Sequence, residues 1–312
     1  MTADQLTYLV FGIVLVLAVA FDLGLMSKRS ATISIRRALT QTIFWVGLAF
    51  LFFGFLWWKE GQITALEYIS AYLMEWSLSI DNIFVFILIF TFFKIKEDHY
   101  ARALLIGILT AIVLRVIFIT VGVALVDRFH WILYLFGAFL VYTGVKIFTV
   151  KHDQEFDPGK NIVYRILKRI IPIVPEDVNG RFVIRKDGKR FYTNMFVVII
   201  LLATTDIVFA LDSIPAVFAI SQNRLVIYTS NIFAVLGLRS LFFLLKGAVS
   251  KFVYLQQGIA IVLIFIGLKM LVEYFHFTVP VYVSLMVIVI CIAGSIVYSI
   301  QNNEPDEGGG NE

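Results

Sequence analysis

Apolar residues run along this chain in blocks of about twenty, broken by short polar stretches. An α-helix rises about 1.5 Å per residue, so a block of that length crosses the roughly 30 Å hydrocarbon core of a bilayer. The blocks predict nine transmembrane helices, at residues 6–26, 40–58, 68–93, 103–126, 130–149, 194–220, 226–246, 253–274 and 278–300. The first block has no basic segment ahead of it and is long enough to span, so it reads as a helix of the mature chain rather than a cleaved signal. The polar stretches alternate in charge. Those at 27–39, 94–102, 150–193 and 247–252 hold Lys28, Arg29, Arg36, Arg37, Lys94, Lys96, Arg102, ten Lys or Arg between Lys151 and Arg190, and Lys251. The others hold only Lys59, Arg128 and Arg224. Because Lys and Arg collect in cytoplasmic loops, this predicts the N-terminus outside and the C-terminus inside. Trp57, Trp58 and Trp131 then fall at outer boundaries, where an aromatic belt is expected.

Composition narrows the class further. Of 312 residues, 60% are hydrophobic and 15% charged, against about 25% charged in a soluble domain. The expected fold is an all-α membrane protein without a sizeable soluble domain, and nucleic acid is not an expected partner. Within the long basic connection, RFVIRKDGKRFY predicts a small hairpin turning at Asp187-Gly188. Ahead of it, YRILKRII (Tyr164–Ile171) is amphipathic, which suits either a positive-inside cap or a surface for anionic lipid or a partner. The tail QNNEPDEGGGNE is expected to be disordered. The single cysteine, Cys291, can form neither an intramolecular disulfide nor a cysteine metal cage, and is expected to be a small buried hydrophobe.

Part of the chain repeats. EWSLSIDNI (Glu75–Ile83) aligns with DIVFALDSI (Asp206–Ile214) at an offset of 131, matching Glu75 with Asp206, Asp81 with Asp212 and Asn82 with Ser213. Leu114-Arg115 matches Leu238-Arg239 at an offset of 124, and TGVKI (Thr143–Ile147) matches IGLKM (Ile266–Met270) at 123. Each copy holds three helices. Three is odd, so the copies must enter the membrane in opposite directions, as the inverted repeats of secondary transporters do. The chain then divides into two N-terminal spans (1–67), the first repeat (68–149), the basic connection (150–193), the inverted second repeat (194–275), and a last span with its tail (276–312).

Charges at mid-bilayer cost about 2.5–3.5 kcal/mol each even on mild scales, so those present call for a function. Glu75, Asp81, Asp206 and Asp212 fall near the middle of their spans, with Asn82 and Ser213 beside them. Six helical residues turn through about 240°, so the acids of one copy do not share a face. Either each helix is interrupted, or one acid of each copy faces the shared interior. Pro215 favours an interruption, because it removes the helical donor to the Leu211 carbonyl and would free that oxygen as a ligand. An oxygen ligand set suits Mg²⁺, Ca²⁺ or Mn²⁺. His99, His130, His152 and His276 all fall in connections or at helix ends, so no imidazole site for Zn²⁺, Cu or Ni is expected in the core. Met74 beside Glu75 is expected to pack rather than ligate.

The four carboxylates against Arg115 and Arg239 leave two negative charges, which one divalent cation or two protons would neutralise. Lys146 and Lys269 lie near helix ends, where they can reach the interface. Desolvation favours the protonated acid and a bound cation favours the carboxylate, so metal and protons are expected to exchange. The residues alone leave Ca²⁺/H⁺ or Na⁺/H⁺ antiport open. Buried pairing of the acids with Arg115 and Arg239 is the purely structural alternative. Asp22, toward the basic end of the first span, reads as an entrance residue, and Glu273 as one that meets water. An intramembrane aspartyl protease is disfavoured because LSIDN and FALDS lack a GxGD context. The chain is expected to be a transporter rather than an enzyme, with no tightly bound cofactor and with room for a homo-oligomer.

E-x-SLSIDN-x-FVF together with D-x-x-FALDSIPAVFA, FGAFLVYTGVKI and SNIFAVLGLR resembles the TerC family of integral membrane proteins, including its Alx-type members, over nearly the whole chain. The resemblance implies Mn²⁺ export, since several members of the wider group are associated with manganese efflux, and a bacterial inner (plasma) membrane. The family takes its name from tellurium resistance. A carboxylate-lined site would repel tellurite, so any such effect is expected to be indirect, or to reflect a role as a membrane assembly partner.

Overall fold

The structure, a computed structural model, describes residues 7, 9–17, 20, 34–149, 159, 161–174, 180–186, 189–246, 254–275, 277 and 279–302. Residues 9–17 are helical, within the first predicted span; Asp22 and the polar tail lie outside the described residues. The helices that follow are α1 (Ile35–Lys59), α2 (Gln62–Phe92), α3 (Glu97–Arg128), α4 (Ile132–Thr149), α5 (Ile162–Ile170), α6 (Asn194–Ile220), α7 (Arg224–Leu245), α8 (Leu255–Glu273) and α9 (Val281–Gln301). All but α4 and α5 are long and apolar enough to cross a membrane, and α4 is a shorter apolar helix. The protein is an all-α membrane protein.

The first three of these helices begin five or six residues ahead of the apolar blocks at 40, 68 and 103. Polar first turns account for the difference, since helix N-termini accept residues that an apolar block does not count. Ser34 caps α1, its Oγ accepting from the Arg37 N–H at 3.4 Å. Asn161 caps α5 by accepting from Val163 N–H at 2.8 Å, and Asn223 caps α7 by accepting from Leu225 N–H at 2.9 Å. Such side chains satisfy donors that a helix start leaves open. Gly61 joins α1 to α2 at φ +96°, a backbone region open to glycine and strained for other residues.

The predicted hairpin is present. Strand β2 (Val183–Lys186) pairs antiparallel with β3 (Lys189–Thr193), opposing Ile184 to Phe191 and Lys186 to Lys189. The Asp187-Gly188 turn itself lies outside the described residues. A short strand β1 (Ile173–Val174) adds in parallel on the other side of β3.

Helix α7 is enclosed by its neighbours over almost its whole length, whereas α9 is mostly exposed. The exposed aliphatic rows on α3 (Val113, Ile117, Val121) and α9 (Met286, Val289, Ile290, Val297) are what lipid-facing surfaces require. Helices α2 and α6 pack side by side and run antiparallel. At one end the Ser221 hydroxyl donates to Glu67 Oε2 at 2.5 Å; at the other Asn194 Nδ2 donates to the Phe93 carbonyl at 3.0 Å.

The packing of α4 on α8 has a twofold pattern. A Cβ added at Gly144 would meet the Ala260 carbonyl oxygen at 2.8 Å and Ile264 at 2.6 Å. One added at Gly267 would meet the Gly137 carbonyl oxygen at 2.6 Å and Val141 at 2.8 Å. The offset of 123 converts 137, 141 and 144 into 260, 264 and 267, so exchanging the copies maps one set of contacts onto the other. The packing of α2 on α7 and of α3 on α6 is related by the same exchange.

Candidate functional site

Arg115 of α3 is 2% exposed and binds both repeats. Its Nε donates to Asp206 Oδ2 and its Nη2 to Asp206 Oδ1, each at 2.8 Å, a two-pronged pairing that a guanidinium fork is shaped to make. Its Nη1 donates to Glu75 Oε1 and, at 3.3 Å, to Asn231 Oδ1. Asn231 Nδ2 in turn donates to the Ile227 carbonyl at 3.0 Å, which turns the amide oxygen toward the arginine. Glu75 and Asp206, the matched acids of the two copies, are each 1% exposed. One guanidinium thus serves two carboxylates, one from each copy. Asn231 is the ligand to this cluster that the repeat did not single out; its counterpart, Gly107, packs against Leu202 instead.

A row of oxygens extends from this cluster. Glu75 Oε2, Ser79 Oγ and Asn82 Oδ1 in α2, and Ser213 Oγ in α6, are buried and make no hydrogen bond among the described residues. Positions 75, 79 and 82 follow the i, i+4, i+7 spacing of one helix face, and so do 206, 210 and 213. By contrast, Ser77 Oγ donates to the Leu73 carbonyl at 2.7 Å. Each unsatisfied buried polar atom costs about 1–3 kcal/mol, so a row of four is a place prepared for something polar. The contacts at the helix ends set its register. Since Glu67 lies against Ser221 and the helices are antiparallel, Glu75 is level with Ser213, and Asn82 with Asp206. The backbones of Glu75 and Asp206 are therefore offset by about 10 Å along the helix axis, and their side chains converge on Arg115.

Of the two structural alternatives, the fold takes the second. Both α2 and α6 run unbroken through their acid pairs. The interruption expected at Pro215 is absent because the helix resumes at once on well-buried residues, Ala216 to Phe218. No unwound segment presents the Leu211 carbonyl, and Leu211 lies on an exposed face of α6. Of the three carboxylates whose side chains are described, Glu75 and Asp206 share Arg115 and Asp212 stands apart. Asp212 is half-buried and turned toward α4, accepting from Thr143 Oγ1 at 3.3 Å within electrostatic range of Lys146. The backbone of Asp81 lies in α2, and its side chain is outside the described residues. Arg239 is buried in α7. Among the described residues, no three His, Cys, Asp or Glu side chains converge as a ready-made metal cage, so a cation would draw on the amide and hydroxyl oxygens as well.

Met74 is buried in the apolar core, as expected of packing. Cys291, expected to be buried, is only partly covered on α9. Lys269 and Glu273, expected at the interface, line a pocket of about 280 Å³ with Glu67 and Ser221. Glu67 drew no notice in the sequence because it has no acidic counterpart in the other copy. The pocket opens at the same end of the α2–α6 seam, about 12 Å along the helix from Glu75.

Residues 60–307 match the integral membrane protein TerC family. The chain belongs to the TerC family. It is 43% identical over 281 residues to the membrane protein STKORF319 of Myxococcus xanthus, covering 90% of this chain and 88% of the relative. A membrane protein of Rickettsia felis is 37% identical over 295 residues, covering 95% and 97%. Alx of Escherichia coli strain K12, whose name proposes a membrane-bound redox modulator, is 39% identical over 288 residues and 89% of each chain. No solved structure matches the chain.

Proposed function

We propose that this TerC protein is a secondary transporter that exports a divalent cation, Mn²⁺ on the family resemblance, from bacterial cells across the inner membrane in exchange for protons. The carrying observation is the buried Glu75–Arg115–Asp206 cluster flanked by the unpartnered oxygens of Glu75, Ser79, Asn82 and Ser213. Carboxylate, amide and hydroxyl oxygens are the donors that hard cations take, and Mn²⁺ shares this preference. In this conformation Arg115 acts as a built-in counter-cation. A metal ion or protons arriving at Glu75 and Asp206 would take over its role, and the guanidinium would release the acids as they are neutralised. Asp81 and Asp212 are assigned to the same route, one step from the central pair, with Asp22 at its entrance. Nine spans with the N-terminus outside complete the reading.

The redox name of the Alx relatives is a second reading. A dithiol cycle within one chain needs two cysteines, and this sequence has one, so a redox role here would run through another group.

The test is the metal content of manganese-sensitive cells. Expression of the wild type is expected to lower intracellular manganese, and the Glu75→Gln and Asp81→Asn variants to leave it at the level of cells without the protein. Equal manganese in all these strains overturns the transport reading. Proton release on Mn²⁺ binding to the purified protein near neutral pH tests the exchange; binding without release overturns antiport and leaves export standing.

A further inference from the structure

Helix α5 lies outside the bundle of spans, and three of its features point to one partner. Its inner side is anchored to the ends of α2 and α6. Tyr164 packs edge-on against Phe93 with ring centres 5.1 Å apart, and Val163 and Leu167 rest on the core beside it. Phe93 follows directly on α2, and its carbonyl takes the Asn194 amide at the start of α6. The helix therefore sits where the apolar spans end, at the depth of the bilayer surface. It is held there firmly, because the strand that follows it is hydrogen-bonded to β3, which runs straight into α6.

Only part of its apolar face is used in this anchoring. Ile162, Ile166 and Ile170 recur every four residues and stay 70%, 49% and 73% exposed. At about 100° per residue they form one stripe, adjoining the side held by Val163 and Leu167. The remaining side carries Arg165, Lys168 and Arg169, all exposed. Close by, Arg181, Arg185, Lys189 and Arg190 of the hairpin are also exposed. The hairpin is tied to the same end of the bundle by Arg102, which lies 4.6 Å from the centre of the Phe182 ring and donates to the Gly180 carbonyl at 3.3 Å. From 161 to 194 the sequence carries eight Lys or Arg against three acids, Glu176, Asp177 and Asp187, so this stretch is strongly basic overall.

We propose that α5 is an interfacial helix that docks on the anionic phospholipid of the bilayer its own spans cross. The three isoleucines enter the acyl boundary, and the basic side meets the headgroup phosphates. A wide apolar face half covered by protein, edged by cations and fixed at the depth of the surface, suits lipid better than a soluble partner. Basic residues near an anionic membrane are attracted to it within a Debye length, and neutral lipid offers no such pull. The proposal is independent of what the protein transports.

The full chain carrying Cys291→Ala and Ile166→Cys, spin-labelled at position 166, tests it in nanodiscs of phosphatidylcholine with and without phosphatidylglycerol. The expected result is a label more accessible to oxygen than to a water-soluble nickel complex, with the ratio rising several-fold when phosphatidylglycerol is present. Adding Lys168→Glu and Arg169→Glu should abolish that rise while leaving unchanged a label placed by Leu268→Cys, on an exposed face of α8. Aqueous accessibility at position 166 in both lipids overturns the proposal. So does spin–spin broadening between labels, which would put a second copy of the chain on this face.

Discussion

Arg115→Gln is expected to destabilise the folded protein by about 3–5 kcal/mol, the cost of breaking a buried ion pair from one side. Among the described residues, the positive charge bonded to Glu75 and Asp206 comes from Arg115, and the two acids, from different repeats, are both enclosed. Glutamine cannot reach both carboxylates, and each would have to take up a proton or admit water. Thermal unfolding of the detergent-solubilised chain, followed by size-exclusion chromatography, should show a clear loss. Arg115→Lys keeps the charge but replaces the planar fork with a point donor, so it should fall between the two. The informative variant combines Arg115→Gln with Glu75→Gln and Asp206→Asn. Replacing all three charges removes the unpaired acids and should restore most of the stability, as neutral replacement of buried ion groups commonly does. If the cluster serves only the fold, that triple variant will behave as wild type in cells. If it carries cations, the variant will fold and fail to lower manganese. Full stability in Arg115→Gln alone would remove Arg115 as the counter-charge.

Much of this site was legible from the sequence because membrane physics makes intramembrane charge conspicuous. Glu75, Asp206 and Arg115 stand out against apolar surroundings, and the repeat pairs the two acids. Periodicity also separated Glu75 from Asp81 by 240° of helix, which is why Asp206 and Asp212 face different neighbours. What the sequence left open was partnership across helices. The structural alternative paired Glu75 or Asp81 with Arg115 and Asp206 or Asp212 with Arg239; the fold keeps Glu75 with Arg115 but has the same arginine reach across to Asp206 and recruit Asn231. Ser79 and Ser77 look alike in one dimension. Only packing shows that one bonds back to its own helix while the other is left with an unused oxygen. Pro215 misled in the direction of a break because a proline's missing donor is a local property, whereas the continuity of α6 is set by the burial of the residues after it.

The second large effect concerns α4 and α8, where the repeat shows itself in steric rather than electrostatic terms. Gly267→Val is expected to disrupt the protein more than a change of that size usually does. Its Cβ would stand 2.6 Å from a backbone oxygen, that of Gly137, which cannot rotate aside as a side chain does. Overpacking typically costs about 1–3 kcal/mol, and the upper end applies where two backbones must separate. In lipid there is little hydrophobic force to hold displaced helices together, so close approach at small residues carries much of their association. Gly144→Val should be about as damaging, because its Cβ meets the Ala260 carbonyl oxygen at 2.8 Å in the matching position. Gly54→Ala in α1, where nothing lies within 4 Å, should be neutral or slightly stabilising and serves as the control. Unfolding temperatures of the three variants in detergent decide the matter. Matched losses at positions 144 and 267 follow from a twofold interface; a loss at only one of them would mean that the copies share a sequence pattern without sharing the contact.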